Sequence, residues 1–295
     1  MKSPLQEFIE NLFASLLSVI KVLLISKFNL KIKKINGEFD CVILGNGPSL
    51  NDTLKEDLNF VLDDKKKVIA VNSFVISEYY ERIKPDYYVL NAPEYWLEVV
   101  SELLQKMRKD VFQNLIAKTN WELTLFVPYQ AKRSKVWKSL FESNPNIHTV
   151  YYNKTPVEGL TSVNHFFFKK NFGMPRPHNV LIPSIFLSIN MGFKKIYLVG
   201  ADHSWHEEIK VDDTNKVTVN HEHFYDKSEW RLPMYKLDGK EYRIHDVFRK
   251  LYRAFKGYFL LNNYAKEKNA KILNASKRSY IDAFEKTIIK KITGN

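Results

Sequence analysis

The stretch Cys41-Val42-Ile43-Leu44-Gly45-Asn46-Gly47-Pro48-Ser49-Leu50 decides the fold. Four apolar residues after Asp40 read as a short buried strand, Asp40–Leu44, and the glycines after them permit a tight turn with close backbone approach to a ligand. Pro48 has a fixed φ suited to a first helical turn and Ser49 can cap it, so the segment predicts strand, turn, helix. A helix N-terminus at that place is a ready phosphate site. Leu50 occupies the third glycine position of the dinucleotide fingerprint G-x-G-x-x-G, and no Gly-Lys-Ser/Thr follows. Neither that fingerprint nor a P-loop is present.

The next two apolar runs end alike. The strand predicted at Lys67–Val71 leads into Asn72-Ser73-Phe74, and the one at Tyr87–Leu90 into Asn91-Ala92-Pro93. Asn46, Asn72 and Asn91 therefore fall just past the carboxyl ends of three successive strands, the edge where open α/β sheets bind ligands. A side-chain amide offers a donor and an acceptor without charge, which suits ribose hydroxyls, a pyrimidine edge or phosphate oxygens. Further strands are predicted at Leu123–Val127, Ile147–Tyr151, Lys195–Val199 and Lys271–Leu273, with helices near 49–62, 94–118, 133–142, 179–191 and 245–268. Apolar runs polar only at their ends, alternating with helices, predict an α/β, Rossmann-like parallel sheet with helices on both faces. Residues 203–243 break the rhythm and read as an inserted lid.

The chain has 295 residues, 45% hydrophobic and 26% charged, a composition that excludes disordered, collagenous and disulfide-stapled classes. Its single cysteine, Cys41, rules out an internal disulfide and suits a reducing compartment. The net charge of +12 favours an anionic partner: a nucleotide, a phosphate or an anionic membrane surface. The basic residues are scattered rather than gathered in an aromatic-interleaved stripe, so nucleic acid is disfavoured. Residues 4–26 carry Leu5, Phe8, Ile9, Leu12, Phe13, Leu16, Leu17, Ile20, Leu23 and Leu24 at helical spacing, with Glu7, Glu10, Asn11, Ser15 and Ser18 opposite. The uninterrupted apolar stretch is short for a span and contains Lys21. Two readings follow for this N-terminal unit, residues 1–36: a helix packed on the protein's own core, or an in-plane anchor followed by Lys27, Lys31, Lys33 and Lys34. Near the C-terminus, Ile281, Phe284, Ile288, Ile289 and Ile292 add weaker support for the anchor. Residues 37–295 read as the Rossmann-like domain with its lid.

The motif after the first strand, the two asparagines after the next two, and the stretch Ile189-Asn190-Met191-Gly192-Phe193-Lys194-Lys195-Ile196-Tyr197-Leu198-Val199-Gly200-Ala201-Asp202 resemble the bacterial sialyltransferases of glycosyltransferase family 42. They are also similar to the related domain of motility-associated flagellin glycosylation factors. The stretch around His245, followed by a long helix and a strand ending in Asn274, resembles the family's catalytic-histidine region, so that the resemblance runs over about residues 39–285 with specific motifs in three regions. It implies a variant of the nucleotide-sugar transferase fold and an inverting, metal-independent transfer without a resident cofactor. The sugar would pass from a CMP-linked donor (a sialic acid, Kdo or a related ulosonate) to a glycan or lipid-linked glycan hydroxyl. It implies a donor site of Gly45, Asn46, Gly47, Ser49, Asn72, Asn91 and Asp202, with His245 as general base. It further implies surface-polysaccharide assembly on the inner face of a bacterial inner membrane. The sequence departs from the family's pattern at Pro177-His178-Asn179-Val180, which replaces the usual sugar and phosphate contacts, and at Ser204, where a tyrosine is expected. Arg176 and His178 are the candidates to replace those contacts.

His203, His206, His221 and His223, among Asp202, Glu207, Glu208 and Glu222, could hold zinc by residue type but show no H-E-x-x-H pattern. They read instead as acceptor or lid residues together with Tyr225. Two other classes remain open. A pterin-diphosphokinase-like enzyme shares the glycine turn and would need ATP and Mg²⁺, yet Asn91-Ala92-Pro93-Glu94 stands where its acidic element belongs. A non-catalytic membrane-associated glycan-assembly protein would bind a donor without hydrolysing it.

Overall fold

The protein is described from a computed structural model over residues 3–137, 143–220, 231–233 and 241–293. Its strands are β1 (Asp40–Leu44), β2 (Lys66–Val71), β3 (Tyr87–Val89), β4 (Leu123–Pro128), β5 (Ile147–Tyr152), β6 (Lys195–Val199), β7 (Ile209–Val211), β8 (Val217–Asn220), β9 (Arg231–Pro233), β10 (Lys271–Asn274) and β11 (Glu285–Lys286). Eight of them form one sheet in the order β11-β10-β6-β1-β2-β3-β4-β5, and every pairing in it is parallel. This is the Rossmann-like α/β architecture expected. The chain runs outward from β1 to β5, then returns to place β6 on the other side of β1. The strand order thus reverses between β1 and β6.

The helices are α1 (Pro4–Ile25), α2 (Ser49–Glu56), α3 (Leu58–Val61), α4 (Tyr79–Ile83), α5 (Glu102–Lys118), α6 (Thr161–Lys169), α7 (Leu181–Met191), α8 (Ile244–Glu267) and α9 (Ile289–Thr293). Strand side chains alternate between two cores, one on each face of the sheet. Cys41 and Ile43 of β1 join α1, α6, α7 and α8, while Val42 and Leu44 join α2 to α5. Both faces are covered, which is why the strands read as unbroken apolar runs. Cys41 is wholly enclosed, and burial pushes its thiol up to about 12, so it packs as a small apolar group.

Three expectations are corrected. The helix expected at 49–62 breaks at Asp57, whose φ of −126° and ψ of 27° are not helical. The 203–243 segment is not one long loop: β7, β8 and β9 form an antiparallel sheet within it. The C-terminal apolar residues do not form a lipid-facing helix, because Ile281, Phe284 and Ile289 are buried in the two cores. The helix expected at 133–142 runs into residues outside those described.

α1 is inside out. It starts in a capping box, with the Gln6 N–H donating to Ser3 Oγ at 3.2 Å and the Ser3 N–H donating to Gln6 Oε1 at 3.0 Å. The residues it buries are Ser15, Ser18 and Val22. Ser18 Oγ donates to the Glu158 carbonyl at 2.8 Å and accepts from the Glu158 N–H at 3.0 Å, while Ser15 Oγ accepts from the Leu160 N–H at 2.8 Å. Its leucines face outward instead, Leu16 being 57% and Leu23 65% exposed. By length and composition this helix could also cross a membrane, with a mean hydropathy of 2.0 over its most apolar 18 residues.

Candidate functional site

The loops after β1 and β6 meet at the strand-order reversal. A Cβ on Gly45 would collide with the Gly200 carbonyl, and one on Gly47 with the Asp202 carboxylate. These glycines therefore admit a neighbouring loop of the same protein, where the sequence suggested approach to a ligand. Asp202 closes the junction: Ser49 N–H donates to Oδ2 at 2.9 Å and Ser49 Oγ donates to Oδ1 at 2.5 Å. Burial raises the Asp202 pKa, and its hydrogen bonds with Ser49 oppose that shift. The next two amides of α2 are also spent, Leu50 N–H on the Gly47 carbonyl at 3.0 Å and Asn51 N–H on the Pro48 carbonyl at 3.1 Å. The phosphate site expected at this helix end is thus filled by the chain's own carboxylate, so Ser49 and Asp202 brace the site's floor.

Above that floor lies a cavity of about 370 Å³ at the carboxyl edge of the sheet. Asn46, Asn72 and Asn91 all line it, with the Pro177–Leu181 segment at the start of α7 as the facing wall. Both amide atoms of Asn46, Oδ1 of Asn72, Nε2 of His178 and Nδ1 of His203 are buried without a hydrogen-bond partner among the described residues. Buried polar atoms are rarely left so, and this many around one space marks a place built to receive polar atoms. Asn72 also holds a left-handed φ of 48°, with its carbonyl accepting from Tyr88 Oη at 2.6 Å. Asn91 is different. Its Nδ2 donates to the Pro177 carbonyl at 3.3 Å and its Oδ1 accepts from Tyr152 Oη at 3.1 Å, so it ties β3 to the facing wall.

Two imidazoles and two cations complete the lining. His203, with φ of 54°, stands edge-on to Trp205 at 4.3 Å between ring centroids, and its Nε2 is 2.7 Å from Tyr258 Oη. Burial holds the His203 pKa down to about 3. Burial, helped by the charges of Arg176, Arg253 and Lys250, holds His178 at about 4. Both rings are neutral at physiological pH. Asn179 caps α7, its Oδ1 accepting from the Leu181 and Ile182 N–H groups at 3.0 and 3.2 Å. Lys154 lies over the Trp96 ring at 4.7 Å. Burial lowers its pKa to about 8 against the opposing pull of Glu94. Arg278, the other lining cation, is already paired with Glu207.

The remaining expected residues fall elsewhere. His245 sits on the first turn of α8 with its side chain 72% exposed and Nε2 3.6 Å from Asp246 Oδ1, and it does not line the cavity. His206 packs edge-on against Tyr280 at 4.3 Å between centroids, also off the cavity. Arg176, a candidate phosphate contact, is taken by a two-point ion pair with Glu158, 3.1 Å on each arm. His221, His223 and Tyr225 lie outside the described residues, and among those described no three ligating side chains converge on a metal position. Lys154 and Trp205 escaped the sequence reading. Lys154 carried a signal, since Asn153-Lys154 follows the end of β5 just as the asparagines follow β1, β2 and β3.

No protein-family model matches the chain, and no curated protein matches it. Among solved structures it is similar to one described as a MAf glycosyltransferase from Magnetospirillum magneticum AMB-1, at 12% identity and a TM-score of 0.46. The match covers 93% of this chain and 38% of that one, so the chain spans well under half of that relative's length.

Proposed function

We propose that the cavity holds a nucleotide-activated sugar and that the chain is a glycosyltransferase. One observation carries this reading: the unpartnered buried amides and imidazole nitrogens around a cavity at the strand-order reversal. Asn46 offers a donor and an acceptor side by side, the pattern a pyrimidine edge or a ribose diol requires, and Asn72 Oδ1 can accept one further hydrogen bond. Lys154, a lining cation near the half-buried Glu94, is the group that would meet the donor's phosphate.

The finer form, which the family resemblance implies, is transfer of an ulosonate from a CMP-linked donor by direct displacement: the acceptor oxygen bonds the anomeric carbon as its bond to the phosphate oxygen breaks and CMP leaves. Such a step needs a base for the acceptor hydroxyl. His178 and His203 line the cavity and are neutral, hence able to accept a proton, and a bound anion raises the pKa of either toward the working range. These two take precedence over the exposed His245 as the base.

The test is a thermal-shift series with CMP, UDP, GDP and ATP, each with Mg²⁺ and with EDTA, followed by single-turnover transfer from a CMP-sugar. A cytidine nucleotide at a hundredfold excess over Kd stabilises the fold by about 2.7 kcal/mol, in EDTA as well as in Mg²⁺. A shift with ATP and Mg²⁺ and none with CMP transfers the assignment to the diphosphokinase class. In the transfer assay, His245→Ala leaves turnover near normal, and His178→Ala or His203→Ala lowers it by about a hundredfold or more.

A further inference from the structure

α1 makes two kinds of contact on its two sides. Its inward side is small and polar, and it runs antiparallel beside residues 153–160. Ser15 meets Leu160, Ser18 meets Glu158, Ser26 Oγ donates to Thr155 Oγ1 at 2.7 Å, and the Lys27 N–H donates to Asn153 Oδ1 at 2.9 Å. A Cβ on Gly159 would collide with Ser15, so helix and segment lie as close as backbones allow. The helix is therefore laid flat along the body over its C-terminal half rather than standing away from it.

Its outward side is apolar from end to end. Leu5, Phe8, Leu12, Leu16, Ile20 and Leu23 are all exposed. With their apolar neighbours they cover an arc of roughly 180° at about 100° per residue. A soluble helix shows the reverse, leucines inward and serines outward. A second helix covers a narrow stripe, and only a broad flat apolar medium takes an arc this wide. Lys31 and Lys33 follow at exposed positions and suit anionic headgroups, whereas Lys34 Nζ donates to the Asn190 carbonyl and Lys27 Nζ lies over the Tyr129 ring.

The same helix is braced to the cavity. Ser18 holds the Glu158 backbone, the Glu158 carboxylate holds Arg176, and Arg176 immediately precedes Pro177 and His178 of the cavity wall. We propose that α1 is an in-plane anchor lying on an anionic bilayer, and that it presents the cavity to an acceptor carried by that bilayer. The second half rests on the transferase reading; the first half does not.

The experiment uses the full chain, because Val22 is wholly buried in the core and truncation would remove it. Vesicles of phosphatidylglycerol and phosphatidylcholine co-sediment the protein, and phosphatidylcholine alone does so more weakly. Leu16→Asp with Leu23→Asp, both at exposed positions, lowers vesicle partitioning on the order of a hundredfold while the circular dichroism spectrum and the nucleotide thermal shift stay as in the parent. Cys41 is buried, so single cysteines at Leu5, Leu16 and Leu24 can carry an environment-sensitive dye. Equal, shallow quenching by brominated lipids at all three positions is the expected result. A deep minimum at the middle position means the helix spans, and overturns the in-plane anchor. Vesicle binding unchanged by the double variant, or absent in the parent, overturns it as well, and a dimer dissolved by the double variant without vesicle binding assigns the face to a second copy. For the acceptor, transfer to a lipid-linked glycan in vesicles exceeds transfer to the same glycan in solution about tenfold or more, and the double variant removes that difference. Equal rates on both overturn the acceptor half, whereas absence of any nucleotide shift overturns the transferase reading and leaves the vesicle result standing.

Discussion

Ser49 and Asp202, 153 residues apart in the chain, are joined by two hydrogen bonds across the junction of β1 and β6, and the carboxylate occupies the helix end where a phosphate would otherwise sit. The two loops are held in register by this pair and by glycines with no room for a side chain, so the asparagines above them project from a rigid floor.

The pair contributes to stability independently of any ligand. Asp202→Ala leaves a buried N–H and a buried hydroxyl unpaired and costs about 3 kcal/mol in urea unfolding, whereas Asp202→Asn keeps one acceptor and costs about 1 kcal/mol. Gly47→Ala acts through the same contact, by forcing the Asp202 carboxylate aside.

Asn46 has the opposite profile. Its amide satisfies nothing among the described residues, so Asn46→Ala leaves unfolding free energy unchanged within about 0.5 kcal/mol or raises it. Nucleotide affinity, measured by calorimetry, falls about tenfold or more in the same variant. Equal losses in stability and affinity would mark Asn46 as a packing residue.

Lys154 sets a pH dependence for anion binding. Its ammonium attracts a phosphate, and with a pKa lowered to about 8 by burial that form is lost as pH rises through 8. Affinity for a nucleotide monophosphate is flat below pH 8 and declines above it, by as much as about tenfold per pH unit. Binding near pH 8 takes up a proton, visible as a dependence of calorimetric heat on buffer ionisation. Lys154→Met binds more weakly, with no proton uptake.

His203 makes the fold sensitive to acid. The unfolded chain protonates this ring near 6.5, the folded one only near 3, so the unfolded state holds more protons between those values. Stability therefore falls as pH drops through that window, by at most about 1.4 kcal/mol per pH unit from this residue. His178 acts in the same direction over the range from 6.5 down to about 4. His203→Asn, which tolerates the left-handed backbone, gives a shallower decline of the unfolding midpoint between pH 6.5 and 4.

Much of the fold is legible in the chain. β1 and β6 have the expected limits, and the other expected strands agree within one residue, because apolar runs bounded by turn residues are local signals. The α1 helix and its start are readable for the same reason, Ser3 and Gln6 being neighbours on one turn. That Asn46, Asn72 and Asn91 share an edge follows from strand direction alone once the sheet is parallel. What those residues do there was decided by tertiary structure. Asn91 is consumed by Tyr152 and Pro177 while Asn46 has no partner among the described residues, and nothing within a few residues of either distinguishes them. The same holds for His203 and His245, one enclosed by Trp205 and Tyr258, the other exposed on a helix turn. Periodicity shows that α1 has an apolar side, but which side meets the body depends on the match between its serines and the 153–160 segment. A residue's own neighbours set its backbone; the partners that fill its polar atoms come from elements 55 residues away for His203 and Tyr258 and 153 away for Ser49 and Asp202, brought together by the packing of the sheet.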